Sequence, residues 1–87
     1  MSTRVLDDVE IETTLRRLLL ETAGIPSELI QADSAFDGDL AMDSLSFVAF
    51  QVEIESEFGI DCPPEELRGI TRFGDLVALV RRKQEGA

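Results

Sequence analysis

The first regular pattern in the chain is an amphipathic helical repeat from Asp7 to Thr22. Its apolar residues recur at i, i+4, i+7 and i+8, which places them on one face of an α-helix. These residues are Ile11, Leu15, Leu18 and Leu19. Gly24 and Pro26 predict the end of this helix, because glycine readily takes a left-handed C-terminal conformation and proline discourages continuation.

Residues 27–42 show no sustained period and are rich in Ser, Asp, Gly and Ala. This composition predicts a long ordered connection, with Ile30, Phe36 and Leu40 as its apolar anchors. Connections of this length are uncommon in compact domains and tend to be functional.

Three more helices are predicted after the connection. Ser44 to Phe58 contains no Gly or Pro and stops at Gly59, and residues 63–67 suit a short helix entered through proline. Thr71 is the expected N-cap of a last helix that runs to about Lys83. The predicted fold class is therefore all-α, a small four-helix bundle of three main helices and one short helix, with a long loop between helices one and two.

Length indicates the number of domains, and net charge indicates which classes of partner the chain can bind. The 87 residues fit one domain, with a core of about residues 7–83 and flexible termini. The formal net charge is -10, from 18 Asp and Glu against 8 Lys and Arg. This field repels phosphate backbones and anionic lipids, so we expect no nucleic-acid and no membrane partner. An enzyme with a basic patch is favoured instead, because complementary potentials speed encounter.

Cysteine usage and the N-terminus bear on location. The single cysteine, Cys62, cannot form an internal disulfide, and we expect it in the core as a small hydrophobic residue. The N-terminus lacks the positively charged start and apolar run of a signal peptide, and no apolar stretch approaches the ~20 residues that span a bilayer. We expect a cytoplasmic monomer.

Several kinds of active site are disfavoured by the residue types. There is no histidine, so a serine or cysteine nucleophile would lack its usual base, and a zinc site would need carboxylates and one thiol. No Gly-rich phosphate cradle with its lysine is present. A calcium loop beginning at Asp33 fails, because Ala35 has no ligand oxygen and Ser44 stands where a bidentate glutamate is required.

The remaining chemical signal is Ser44 at the start of the second helix, next to Asp43. By residue type alone, Asp43 or Ser44 is simply an N-cap. The triplet Asp43, Ser44 and Leu45, however, resembles the hallmark of the acyl carrier protein family, an Asp-Ser-Leu triplet that opens the second of four helices. The resemblance covers nearly the whole chain. Its further residues are Phe36, Asp39 and Leu40, residues 53–58, Cys62 and Pro63, and Ile70 and Thr71.

This resemblance implies a carrier and not an enzyme. A phosphopantetheinyl transferase would move 4′-phosphopantetheine from coenzyme A onto the Ser44 hydroxyl, leaving a phosphodiester and a terminal thiol that holds acyl groups as thioesters. A phosphodiester at a helix N-terminus meets unpaired N–H groups and the positive end of the helix dipole. Other implied partners are acyl-loading, ketosynthase or acyltransferase-type enzymes of polyketide, specialised-metabolite or fatty acid biosynthesis.

The second helix carries two apolar faces. One is predicted to be core and consists of Phe47, Phe50, Ile54 and Phe58. The other, here called the docking stripe, consists of Leu45, Val48 and Val52. Either the stripe packs under the neighbouring loop or, as the resemblance implies, it binds partner enzymes, with Asp43 and Glu55 supplying charge.

The sequence departs from fatty-acid carriers at Ser46 and Ala49, which are often acidic there, and at Ala41, where glycine is common. A less acidic face favours a dedicated set of partners. Two alternatives stay open. A peptidyl carrier protein holding aminoacyl thioesters is typically less acidic and more often has Gly-Gly-His/Asp-Ser before the leucine. An unmodified acidic helical adaptor would use the docking stripe for protein binding alone, and Ser44 would be dispensable.

Overall fold

The computed structural model describes residues 7–35 and 43–86. Over these residues the chain forms, in order, α1 (Asp8–Ala23), a 3-10 helix η1 (Ser27–Leu29), α2 (Ser44–Phe58), α3 (Pro64–Arg68) and α4 (Phe73–Gly86). The first helix packs against both α2 and α4, and α3 contacts α2. Within the two ranges, no helix combines the length and apolarity that crossing a bilayer requires. The all-α architecture of three main helices and one short helix is confirmed.

The ends of α1 lie where its residue types favour them. The Asp7 carboxylate accepts the Glu10 N–H at 2.8 Å, as an N-cap does. At the other end, Gly24 adopts the left-handed conformation with φ 69° and donates its N–H to the Leu20 carbonyl at 3.0 Å. The predicted apolar face of α1 is fully buried. Local sequence signals therefore account for this helix.

Aromatic side chains fill the centre of the core. Phe50 and Phe58 come from α2 and Phe73 from α4, and each is at most 1% exposed. Burying a side chain of this size contributes about 1.5–3 kcal/mol. Cys62 is fully buried as well, and this burial raises the pKa of its thiol, so the thiol stays protonated at neutral pH. This burial agrees with the prediction that Cys62 is a core residue.

Arg16, a residue of α1, links the connection that follows this helix to α4. Its guanidinium donates to the carbonyl oxygens of Ser27 at 2.8 Å and Ile30 at 2.7 Å, and it pairs with Glu12 one turn earlier at 2.8 Å. The same guanidinium carbon lies 5.2 Å from the centroid of the Phe73 ring. One side chain thus satisfies backbone oxygens of the irregular segment and covers a core aromatic ring of α4.

The connection also caps the start of α4. The Phe73 N–H donates to the Ser34 carbonyl at 3.0 Å, and the Gly74 N–H donates to the Ala32 carbonyl at 2.7 Å. A Cβ at Gly74 would lie 3.0 Å from that Ala32 oxygen, so glycine permits the close approach. The prediction of Thr71 as N-cap is wrong, because backbone carbonyls of the connection satisfy the first amides of a helix that begins at Phe73.

Two other expectations concern the apolar anchors of the connection and the end of the last helix. Ile30 is buried as an anchor of the connection, whereas Phe36 and Leu40 lie outside the described residues. The last helix extends beyond Lys83 to Gly86. Its final turn is held by Gln84, which is buried and donates its amide N–H to the Phe58 carbonyl at 3.1 Å.

We expect Arg16→Met to lower the free energy of unfolding by about 1.5–3 kcal/mol, because it removes the charge-assisted hydrogen bonds to the carbonyl oxygens of Ser27 and Ile30. Arg17→Met is the matched control. Arg17 forms exposed ion pairs with Glu21 and Glu57, which typically contribute about 0.2–1 kcal/mol. Urea unfolding of both variants measures the difference, and equal losses would contradict the role assigned to Arg16.

Candidate functional site at the start of the second helix

Ser44 is the first residue of α2, and the helix has the bounds that the sequence predicted. The residue before it, Asp43, is extended at φ -75° and ψ 172° and acts as the N-cap. Its carboxylate accepts the Ser46 N–H at 2.7 Å, and its carbonyl accepts the Phe47 N–H at 2.9 Å. Capping therefore belongs to Asp43. The Ser44 side chain is exposed and has no hydrogen-bond partner among the described residues.

The bonds that Asp43 accepts lower the pKa of its carboxyl group below the ordinary value, the backbone N–H of Ser46 contributing most and the Ser46 hydroxyl next. The group is therefore ionised at neutral pH. Because its pKa is lower in the folded state than in the unfolded chain, its contribution to stability is present above the unfolded pKa and disappears as the pH falls through the folded one. This cap weakens only in acid.

The first turn of α2 suits an anion attached to Ser44. The helix N-terminus presents the positive end of the dipole and N–H groups without intrahelical partners. After the N-cap, this turn carries no acidic residue, whereas the first turns of the other α-helices do. Ser46, at a position often acidic in fatty-acid carriers, is part of this uncharged turn. The exposed hydroxyl and the uncharged turn together fit a phosphodiester.

Ser44 has no activating base in the described part of the chain. The adjacent Asp43 carboxylate is occupied by Ser46. No group of three or more His, Cys, Asp or Glu in these ranges is placed to hold a metal ion, and the rejected calcium loop from Asp33 continues into residues outside them.

The two faces of α2 differ in exposure. On the inner face Phe50, Ile54 and Phe58 are buried, and Phe47 is half-buried against the core. The docking stripe is open to solvent: Leu45 is 81% exposed, and Val48 and Val52 are each 52% exposed. Contiguous exposed apolar side chains are typical of interaction surfaces. The stripe begins directly beside Ser44 and continues along the helix.

Glu55 has a structural role that the sequence analysis missed. Its carboxylate accepts the Cys62 N–H at 2.8 Å, while Gln51, one turn earlier, donates to the Cys62 carbonyl at 2.9 Å. Two α2 side chains therefore hold both backbone polar groups of Cys62 and fix the segment that precedes α3. The only sequence signal for this contact is a glutamine, Gln51, at a buried position of the helix. One oxygen of Glu55 is thus already used within the fold.

Comparison with known proteins finds one matching family profile and several similar proteins. The family profile described as phosphopantetheine attachment site matches residues 13–80. The chain is 37% identical over 79 residues to the acyl carrier protein of Rhodococcus erythropolis, covering 90% of this chain and 87% of that protein. It is 39% identical over 75 residues to the acyl carrier protein of Acidothermus cellulolyticus, covering 86% and 89%. It is 34% identical over 76 residues to the meromycolate extension acyl carrier protein of Mycolicibacterium smegmatis, covering 87% and 77%.

Proposed function

Since this chain belongs to the acyl carrier protein family, we propose that its covalent 4′-phosphopantetheine arm is attached to Ser44. The chain is a carrier protein and not an enzyme. The observation that carries the assignment is the exposed, unpartnered Ser44 hydroxyl on a helix whose capping is done by Asp43. Modification of this hydroxyl removes no hydrogen bond that the described fold uses.

In this arrangement the arm, the chain and the partner enzymes have different roles. When bound, the arm supplies a thiol that holds acyl groups as thioesters. The chain supplies the Ser44 oxygen, which forms the new bond to the phosphorus of the arm while the pyrophosphate bond of coenzyme A breaks. Adenosine 3′,5′-bisphosphate leaves, and the phosphopantetheinyl transferase accepts the proton of the hydroxyl. The first turn of α2 then stabilises the phosphodiester charge through the positive end of its dipole. Reactions of the acyl group belong to the partner enzymes.

We assign the cargo to acyl intermediates of polyketide, specialised-metabolite or fatty acid biosynthesis. The named relatives support acyl cargo over the aminoacyl cargo of a peptidyl carrier, because they are acyl carrier proteins, one of them for meromycolate extension. An adaptor that never carries the arm is less well supported, since it gives no reason for an uncharged, exposed first turn around Ser44.

Partner enzymes would bind the docking stripe. These include acyl-loading, ketosynthase or acyltransferase-type enzymes, as well as the transferase that installs the arm. Val48 and Val52 provide the apolar centre, Leu45 lies beside the arm, and the carboxylates of Asp43 and Glu55 flank them. A complementary enzyme surface has an apolar depression with a basic rim. The net charge of -10 on this chain would also attract such a basic surface at a distance.

Ser44→Ala tests the attachment. Incubation of the wild-type chain with coenzyme A, magnesium and a broad-specificity phosphopantetheinyl transferase should add one phosphopantetheine to the intact mass, and the variant should gain none. Its stability should change by no more than about 0.5 kcal/mol, because Asp43 remains as the cap. Ser46→Ala is the matched control and should still be modified. Modification of Ser44→Ala, or its unfolding, would contradict the assignment.

Val48→Asp and Val52→Asp test the docking stripe. Each should lower kcat/KM for arm transfer roughly tenfold, equivalent to about 1.4 kcal/mol of binding, with little loss of stability, because both side chains are half exposed. Val9→Asp on α1, where the side chain is 72% exposed, is the control and should transfer normally. Global unfolding of either α2 variant would place the stripe in the core instead.

A further inference from the structure

Arg68, the last residue of α3, lies against the helix that carries Ser44. Its guanidinium carbon is 5.3 Å from the centroid of the Phe47 ring. Phe47 follows Ser44 by three residues, so the two side chains are neighbours on the surface of α2, with Cβ atoms about 5–6 Å apart. The Arg68 charge therefore lies over the ring of an α2 residue that is one helical turn from the proposed attachment residue.

Arg68 is not used in an ion pair of the described fold. In the described ranges no carboxylate lies within ion-pair distance of Arg68, Arg72 or Arg82, whereas the other basic residues each have one. Glu65, three residues earlier on α3, is near enough in a helix for such a pair. Arg68 lies over the Phe47 ring instead, although the chain has a net charge of -10.

The surroundings of this guanidinium favour an incoming anion. Stacking on Phe47 uses the face of the guanidinium and leaves its in-plane N–H groups as donors. The neighbouring first turn of α2 has no acidic residue after its N-cap Asp43. Phe47 is the fourth residue of α2, so Arg68 lies over a ring of the first turn, the end of the helix that carries the positive pole of the dipole.

We propose that the Arg68 guanidinium, held on the Phe47 ring, binds an oxyanion carried by the arm on Ser44. The inference rests on the proposed attachment to Ser44. The recognised chemistry is an anionic oxygen, which an arginine fork can bind through two parallel hydrogen bonds. Two groups on the arm offer it: the phosphodiester itself, and the free carboxylate of a dicarboxylic acyl group such as malonyl.

Nuclear magnetic resonance of the loaded protein distinguishes these sources. Wild type, Arg68→Gln and Arg82→Gln are loaded from acetyl-coenzyme A or from malonyl-coenzyme A labelled with ¹³C at the free carboxylate, and loading is verified by intact mass. Arg82, an exposed α4 arginine without an ion pair in the described fold, is the matched control. The readouts are the ³¹P shift of the phosphodiester and the pKa of the malonyl carboxylate at low salt.

If Arg68 binds the phosphodiester, Arg68→Gln moves the ³¹P resonance in both acyl forms. If it binds the cargo, Arg68→Gln raises the malonyl pKa by about one unit, because the nearby cation no longer favours the charged form. Arg82→Gln should change neither, and Arg68→Lys, which keeps the charge without the planar donors, should give a partial effect. If the loaded Arg68→Gln and Arg82→Gln variants give the same ³¹P shift and the same malonyl pKa, the inference is overturned while the attachment to Ser44 stands.

If the wild-type chain is not loaded at all, the attachment to Ser44 is overturned, and the inference that rests on it is overturned as well.

Discussion

The fold depends on how the irregular segment after α1 satisfies its backbone polar groups. A buried carbonyl oxygen without a partner is costly, and the regular structure of the described part of this segment, residues 24–35, is one 3-10 turn and one isolated bridge from Ala35 to Arg72. Arg16 from α1 binds two carbonyl oxygens of the segment, and the first amides of α4 bind the carbonyls of Ala32 and Ser34. The same contacts cap α4 and place Arg16 over Phe73. The segment therefore joins the two helices and does more than connect them in sequence.

In this arrangement the two faces of α2 lie in different environments, one in the core and one in solvent. Its inner face is anchored by buried aromatic residues, and its side chains Gln51 and Glu55 hold the backbone of Cys62. Its outer face contributes little to the described core and stays open. The proposed attachment of the arm to Ser44 requires this combination, because partner enzymes would then bind the helix and reach its first residue without disturbing the core.

Features determined by local sequence could be predicted, and those determined by tertiary contacts could not. The bounds of α2 and the end of α1 follow from Gly59 and Gly24, which both take the left-handed conformation at a helix end. The apolar periods likewise identify the buried faces. The start of α4 could not be predicted from Thr71, because its cap is the backbone of a segment about forty residues earlier in the chain. The bond from Cys62 to Glu55 and the stacking of Arg68 on Phe47 have no local signature for the same reason. At the site, the triplet predicts Ser44 as the attachment residue, whereas the residue types left the N-cap open between Asp43 and Ser44, and the structure assigns it to Asp43.

If Ser44 carries the arm as proposed, the bundle is already formed before modification and presents the Ser44 hydroxyl to the transferase. This can be checked by comparing ¹H–¹⁵N spectra of the chain with and without the arm. Amide shifts should change in the first turn of α2 and in the adjoining residues of α3. The amides of core residues on α1 and α4, such as Leu15 and Val80, should keep their positions. Changes spread through α1 and α4 would contradict the claim, because they would mean that the bundle reorganises when the arm is attached.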